Sequence, residues 1–210
     1  MIIKVDINRP EGWDACLREA AVVIQEGGLL VFPTDTFYGL GCDAWNASSL
    51  KKIFALKGRS PEKPLLLLIA EAGDLVKLTQ NIPPKAKRLM DAHWPGPLTL
   101  VLPASEAVPR EASAGTGKIG IRMPGCLFTR ELIKRAGVPL VGTSANISGE
   151  GGAEDIKNIQ GDFGEQVQLY LDAGKLSASA PSTVVDLTGD SVVILREGVI
   201  PKEEIDFSAI

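Results

Sequence analysis

The chain predicts an α/β (α+β) domain built on one twisted, mixed parallel and antiparallel sheet flanked by helices. Three observations predict it. Short runs of Leu, Val and Ile recur along the 210 residues, each bounded by Pro, Gly or a polar residue and each too short for a helix. Segments with apolar residues at helical spacing lie between them, but strands and helices do not alternate strictly, which argues against a purely parallel sheet. The last two runs flank Gly189-Asp190, a tight-turn signal for an antiparallel hairpin.

Element by element, Trp13, Leu17, Ala20, Ala21 and Ile24 fall on one stripe of a helix over 13–26, which Gly27-Gly28 stops. LLVFP (29–33) reads as a buried strand ending at proline. PTDTFYGLG (33–41) then sets Thr34, Asp35, Thr36 and Tyr38 in a turn, where hydroxyls either satisfy one another or face a ligand at the sheet's carboxyl edge. Asn46 caps a short helix carrying Leu50, Ile53 and Phe54 on one side. LLLLIA (65–70) is a strand, 72–79 and 83–92 are short helical stretches, and LTLVLP (98–103) and KIGIRMP (118–124) are strands. A helix over 127–136 leads into PLVGT (139–143), and VQLYLD (167–172), STVVDLT (182–188) and SVVILRE (191–197) complete the set. No internal repeat or low-complexity linker interrupts the chain. Residues 1–210 are expected to form one domain without a second C-terminal domain, with 149–152 and 177–181 as its mobile loops.

Composition narrows the function. With 45% hydrophobic and 23% charged residues the chain is globular, and a net charge of −4 excludes a protein that is basic all over while permitting a local basic patch. The longest apolar run, Leu65 to Ala70, is far too short to span a bilayer, and no apolar segment of signal-peptide length opens the sequence. A cytoplasmic protein with no membrane association is the expectation. Three dispersed cysteines and one histidine provide neither a disulfide framework nor zinc-ligand spacing, so no protein-held metal is expected. His93, beside Trp94 and two prolines, reads as structural.

Against the acidic balance, residues 51–63 hold Lys51, Lys52, Lys57, Arg59 and Lys63 with Glu62 as the single acid. Lys51 and Lys52 read as a solvated helix face. Lys57 and Arg59 straddle Gly58, and in an extended segment they would point the same way and converge on one anion. Arg122 alternates with Gly120 and Lys118 on one face of its strand, and an arginine buried there needs either a structural carboxylate or a bound anion. Arg196 repeats the situation at the end of the terminal hairpin. No Walker loop or Rossmann fingerprint occurs, and Ser144 lacks the GxSxG context of a hydrolase nucleophile.

Read together, PTDTFYGLG, KGRSPEKPL, WPGPLT, IGIRMP, GTSAN, PSTVVDL and ILREG occur in this order over nearly the whole chain. The set closely resembles the YrdC family of threonylcarbamoyl-AMP synthases, in its short, single-domain form. The resemblance implies a YrdC-like fold with a basic concave face and a reaction. L-threonine, bicarbonate and ATP give threonylcarbamoyl-AMP, pyrophosphate and water, the first step of tRNA threonylcarbamoyladenosine synthesis. It implies ATP as a substrate with Mg on the triphosphate, and a functional link to the tRNA threonylcarbamoyl transferase machinery; direct RNA contact stays open. Carried over residue by residue, it gives Lys57 and Arg59 catalytic roles. Lys57, Arg59, Lys63, Lys118, Ser144, Asn146 and Arg196 become ATP-binding, and Thr36, Tyr38, Arg122, Gly142 and Ser182 threonine-binding. Two positions depart from the longer members: Ser60 stands where they carry proline and Leu68 where they carry histidine. The alternatives are a non-catalytic double-stranded-RNA-binding module and a carbamoyl transferase using a related adenylate.

Overall fold

The computed structural model describes residues 1–147, 155–177 and 180–205. The loop expected at 149–152, part of that at 177–181 and residues 206–210 lie outside the described residues. The strands are β1 (Ile2–Lys4), β2 (Leu30–Phe32), β3 (Gly39–Gly41), β4 (Leu66–Leu68), β5 (Leu98–Pro103), β6 (Lys118–Arg122), β7 (Leu140–Val141), β8 (Thr143–Ser144), β9 (Leu169–Asp172), β10 (Thr183–Asp186) and β11 (Val193–Arg196). The helices are α1 (Asp14–Gln25), α2 (Ala47–Lys57), α3 (Leu75–Leu78), α4 (Pro84–His93), α5 (Arg110–Ser113), α6 (Leu127–Ala136) and α7 (Ile156–Phe163).

Every element expected from the sequence forms, and Asn46 caps α2 by accepting from Ser49 N. Four elements were not anticipated: β1, β3, α5 and α7. In β3, sequence GLG, strand propensity is poor, yet the two glycines are what the packing requires. A Cβ at Gly39 or Gly41 would lie 2.9 or 2.7 Å from the Phe32 ring on β2.

The mixed sheet is organised as two hydrogen-bonded ladders rather than one, in the orders β1-β9-β2-β3-β8 and β11-β10-β5-β6-β4-β7. The segment read as a single strand, PLVGT, is the reason. Leu140 and Val141 pair antiparallel with β4, whereas Thr143 and Ser144 pair antiparallel with β3. The chain changes partners at Gly142, whose own N–H donates to Leu66 O at 2.9 Å. A Cβ at Gly142 would lie 2.4 Å from Leu68 Cγ, and one at Gly41 would lie 2.2 Å from Val141 O. The two ladders approach this closely only because both residues are glycine. The terminal hairpin forms as expected, with β10 antiparallel to β11 and parallel to β5.

Period-two alternation sends successive side chains to opposite faces. Leu30 and Phe32 of β2 and Leu169 and Leu171 of β9 pack under α1 and α6, with Leu17, Ile24, Phe128 and Leu132. Trp13 and Phe128 meet edge-to-face there, their centroids 5.2 Å apart. Val31, Tyr170, Leu67, Leu100, Ile121 and Val185 take the other face, with Leu50 and Ile53 of α2, Leu89 of α4 and Ile159 of α7. Each fully buried aliphatic side chain contributes roughly 1.5–3 kcal/mol. Leu68 belongs to the α1/α6 cluster and also lines a cleft, so past that residue the same face opens outward.

Candidate active site

The open face of the second ladder forms the floor of a cleft of about 760 Å³. Alternation decides what projects into it: Leu66 and Leu68 from β4, Thr99 and Val101 from β5, Lys118, Gly120 and Arg122 from β6, Val184 and Asp186 from β10. Thr34, Thr36 and Tyr38 form another wall from the β2–β3 turn, joined by Ser144, Asn146 and Arg59. Of the sequence-expected residues, Thr36, Tyr38, Arg59, Lys118, Arg122, Gly142, Ser144, Asn146, Ser182 and Arg196 line this one cleft, while Lys57 and Lys63 do not. Lys63 is exposed.

Arg122 is 3% exposed. Its Nε donates to Gly96 O and its Nη1 to Thr36 Oγ1, both at 3.0 Å. Nη2 sits 2.7 Å from Asp35 Oδ1, an ion pair without the alignment of a hydrogen bond. The sequence left structural carboxylate and bound anion open for this arginine, and the carboxylate is Asp35. Pairing matters because an uncompensated buried charge costs about 3–5 kcal/mol. Two of the five guanidinium N–H groups are used in hydrogen bonds and buried Nη2 is held against Asp35, which leaves the second N–H of Nη1 as the group with capacity for a ligand.

Arg196 closes the far side. Its Nη2 donates to Ser182 O at 2.9 Å and to Ser182 Oγ at 3.1 Å, and Ser182 Oγ in turn lies 2.9 Å from Thr99 Oγ1. The residue is exposed along its length, yet its guanidinium is enclosed enough that burial, and then the charge of Arg122, lower its pKa. Lys118 pairs with Asp186 at 2.9 Å. Burial works against ionisation of Asp186, but hydrogen bonds from Thr188 and Lys118 outweigh it and hold the carboxyl below its ordinary range.

Lys57 and Arg59 part company. Lys57 is the last residue of α2, and Gly58 ends the helix at φ 59°, with Arg59 N donating back to Phe54 O at 3.0 Å. The extended geometry expected at 57–59 is therefore absent, and the two cations do not converge. Arg59 enters the cleft, donating to Pro64 O at 2.8 Å while its buried Nε has no hydrogen-bond partner, and burial lowers its pKa. Lys57 is 2% exposed and donates to Ser144 O, Asn146 O and Asn146 Oδ1. Burial, then the charge of Arg59, push its pKa down to about 8. Ser144 Oγ donates to Asn146 Oδ1. Tyr38 is fully buried. Its hydroxyl donates to Gly174 O at 2.7 Å and accepts from Ala173 N at 2.9 Å, and burial pushes its pKa up to about 12. What Tyr38 offers the cleft is its ring.

Sequence reasoning missed Thr99, Thr116 and Asp186 as lining residues, whereas Thr34 was among the turn hydroxyls read as facing one another or a ligand. For Thr99 and Asp186 the signal was available, since alternation sets them opposite Leu98, Leu100 and Val185. Thr116 stands in an irregular turn and carried no such signal.

A family profile described as telomere recombination, the Sua5/YciO/YrdC group, matches residues 22–198. The threonylcarbamoyl-AMP synthase of Pyrococcus abyssi is 41% identical over 207 residues, covering 98% of this chain and 60% of that protein. A putative threonylcarbamoyl-AMP synthase of Mycobacterium tuberculosis is 34% identical over 95% of this chain and 92% of its own length. The crystal structure of P. abyssi Sua5 complexed with L-threonine superimposes with a TM-score of 0.92 at 41% identity, over 98% of this chain and 59% of that one. With this profile across most of its length and this agreement in fold, the chain belongs to the Sua5/YciO/YrdC family.

Proposed function

We propose that the cleft joins L-threonine, bicarbonate and ATP into threonylcarbamoyl-AMP, releasing pyrophosphate and water. The observation that carries this reading is the meeting of Arg59, Arg122, Arg196 and Lys118, drawn from three separate segments of an acidic chain, in one cleft with Ser144 and Asn146. A reaction that holds a carboxylate, a carbamate and a triphosphate side by side needs such a collection of cations. The P. abyssi structure, determined with L-threonine, supports the amino-acid half of the reading.

Arg122, Thr36 and Ser182 receive the threonine carboxylate, with Gly142 and the Tyr38 ring shaping the space around its side chain. The threonine amine and bicarbonate condense to a carbamate with loss of water. A carbamate oxygen then attacks the α-phosphorus of ATP, the bond to the bridging oxygen breaks, and pyrophosphate departs. Arg59 and Arg196 offset charge developing on the leaving group, and the hydroxyl and amide of Ser144 and Asn146 orient the phosphates. Alignment of the reactants supplies up to about 7–11 kcal/mol of barrier reduction. The apolar wall of Leu66, Leu68 and Val184 limits water beside the labile carbamate.

A magnesium ion fits this arrangement as a companion of the triphosphate. Among the described residues no group of three His, Cys, Asp or Glu side chains converges to hold an ion, and the cleft's Asp186 is engaged by Lys118 and Thr188. Phosphate oxygens and water would be its ligands. The product is an activated carbamoyl-adenylate, so a transferase acting on a nucleophilic nitrogen must consume it; the family resemblance makes that nitrogen a tRNA adenosine.

ATP consumption measured with threonine, serine or carbamoyl phosphate as co-substrate tests the reading. Pyrophosphate release should require threonine and bicarbonate and should fall about 10²–10³-fold in Arg59→Ala. Equal turnover without threonine, or unchanged turnover in the variant, would remove the synthase assignment from this cleft.

A further inference from the structure

We infer that Lys57 is a positioning residue whose buried ammonium clamps the Ser144–Asn146 turn in its working shape, and that it is not a phosphate ligand. The turn's importance rests on the nucleotide reading above; the clamp stands on geometry alone. Lys57 is 2% exposed, and it is absent from the cleft lining although its neighbour Arg59 is present. An ammonium has three N–H donors, and here they meet three acceptors: Ser144 O, Asn146 O and Asn146 Oδ1. No donor is left over for a phosphate.

The converse argument is stronger. Two backbone carbonyls and one side-chain carbonyl converge on a single buried point, and three partial negative charges held that close require a cation between them. An anion approaching the turn would be repelled by the same oxygens were they not drawn back onto Lys57. The turn is also held by backbone hydrogen bonds from Ala145 N to Tyr38 O at 2.8 Å and from Asn146 N to Ser144 O at 2.9 Å, and by the Ser144 Oγ donation to Asn146 Oδ1. The helix end explains how one short motif does two jobs. The left-handed turn at Gly58 sends Lys57 behind the cleft wall and Arg59 into the cleft.

Amide hydrogen exchange on the ligand-free protein tests the clamp. In Lys57→Met, of similar length and no charge, exchange at Ala145 and Asn146 should accelerate about tenfold or more, the equivalent of one hydrogen bond to a charged group, while amides of β5 and β6 hold their rates. Unchanged exchange in the turn overturns the inference. Calorimetric titration with AMP, ADP and ATP separates the two roles. A clamp acts only through the turn, so adding Lys57→Met to the double variant Ser144→Ala, Asn146→Ala should lose no further affinity for any of the three, whereas an added loss that grows with phosphate number marks a ligand and overturns it. Wild type that binds no nucleotide would defeat the nucleotide reading, and the exchange data would still decide the clamp. Should Lys57→Met fail to fold, the Nζ resonance of Lys57 in wild type decides. It should be slow to exchange in the free protein and unmoved between AMP and ATP, and a shift caused by the added phosphates overturns the clamp.

Discussion

Buried lysine and buried thiol pull the pH dependence of this protein in opposite directions. Lys57 titrates at about 8 when folded against an ordinary value of 10.5, so in that window the unfolded chain holds a proton that the folded chain has lost. Stability contributed through Lys57 therefore rises as pH climbs from about 8 to 10.5. Cys42 and Tyr38 work the other way. Burial holds both above their ordinary values of 9.0 and 10.0, so the unfolded chain ionises first and alkaline pH destabilises the fold. Urea denaturation over this range should show wild type gaining on Lys57→Met as pH rises, with the shared thiol and phenol effects cancelling in the difference. A difference that is flat or of opposite sign would mean that Lys57 keeps its ordinary titration. Arg122 carries the other residue-scale lesson. Its position in an alternating strand showed that it needed a counter-charge, but identifying Asp35 required the approach of two segments 87 residues apart in sequence.

At the scale of elements, the crossing at Gly142 joins the two ladders and delivers Ser144 and Asn146 to the cleft. The two glycines there should differ in what they tolerate. A Cβ at Gly142 meets the Leu68 side chain, which can be shortened, whereas a Cβ at Gly41 meets the backbone oxygen of Val141, which cannot. Gly142→Ala should cost about 1–3 kcal/mol in denaturant unfolding and recover part of that in the double variant with Leu68→Ala, while Gly41→Ala should not be relieved by Leu68→Ala. Equal behaviour of the two variants would contradict the packing at the crossing. The elements legible from sequence were those with strong periodicity: α1, α2, α6, β5, β6 and the terminal hairpin. PLVGT was legible as extended chain but not as a strand that changes partners, since the clash distances that demand glycine exist only in three dimensions. The reading of Lys57-Gly58-Arg59 as extended failed for a local reason. Gly58 marks the end of a helix, so its flanking residues are set by a left-handed cap and not by strand alternation.

For the molecule as a whole, one face of the fold is apolar under α1 and α6 and then becomes a cleft edged with cations, and this division follows from alternation along β4, β5, β6 and β10. The sequence showed recurring cations at strand ends in an acidic chain; only the folded topology shows that most of them face one another. The match spans 60% of the length of the P. abyssi relative and 92% of that of the M. tuberculosis relative, so the reaction must be demonstrated on this chain itself. The most direct measurement is mass spectrometry of the nucleotide products formed from ATP, L-threonine and ¹³C-labelled bicarbonate. The account predicts threonylcarbamoyl-AMP carrying one ¹³C, formed together with pyrophosphate and lost when threonine is omitted or Arg59 is replaced by alanine. Hydrolysis of ATP without a labelled adenylate, or a labelled adenylate formed equally well by Arg59→Ala, would contradict it.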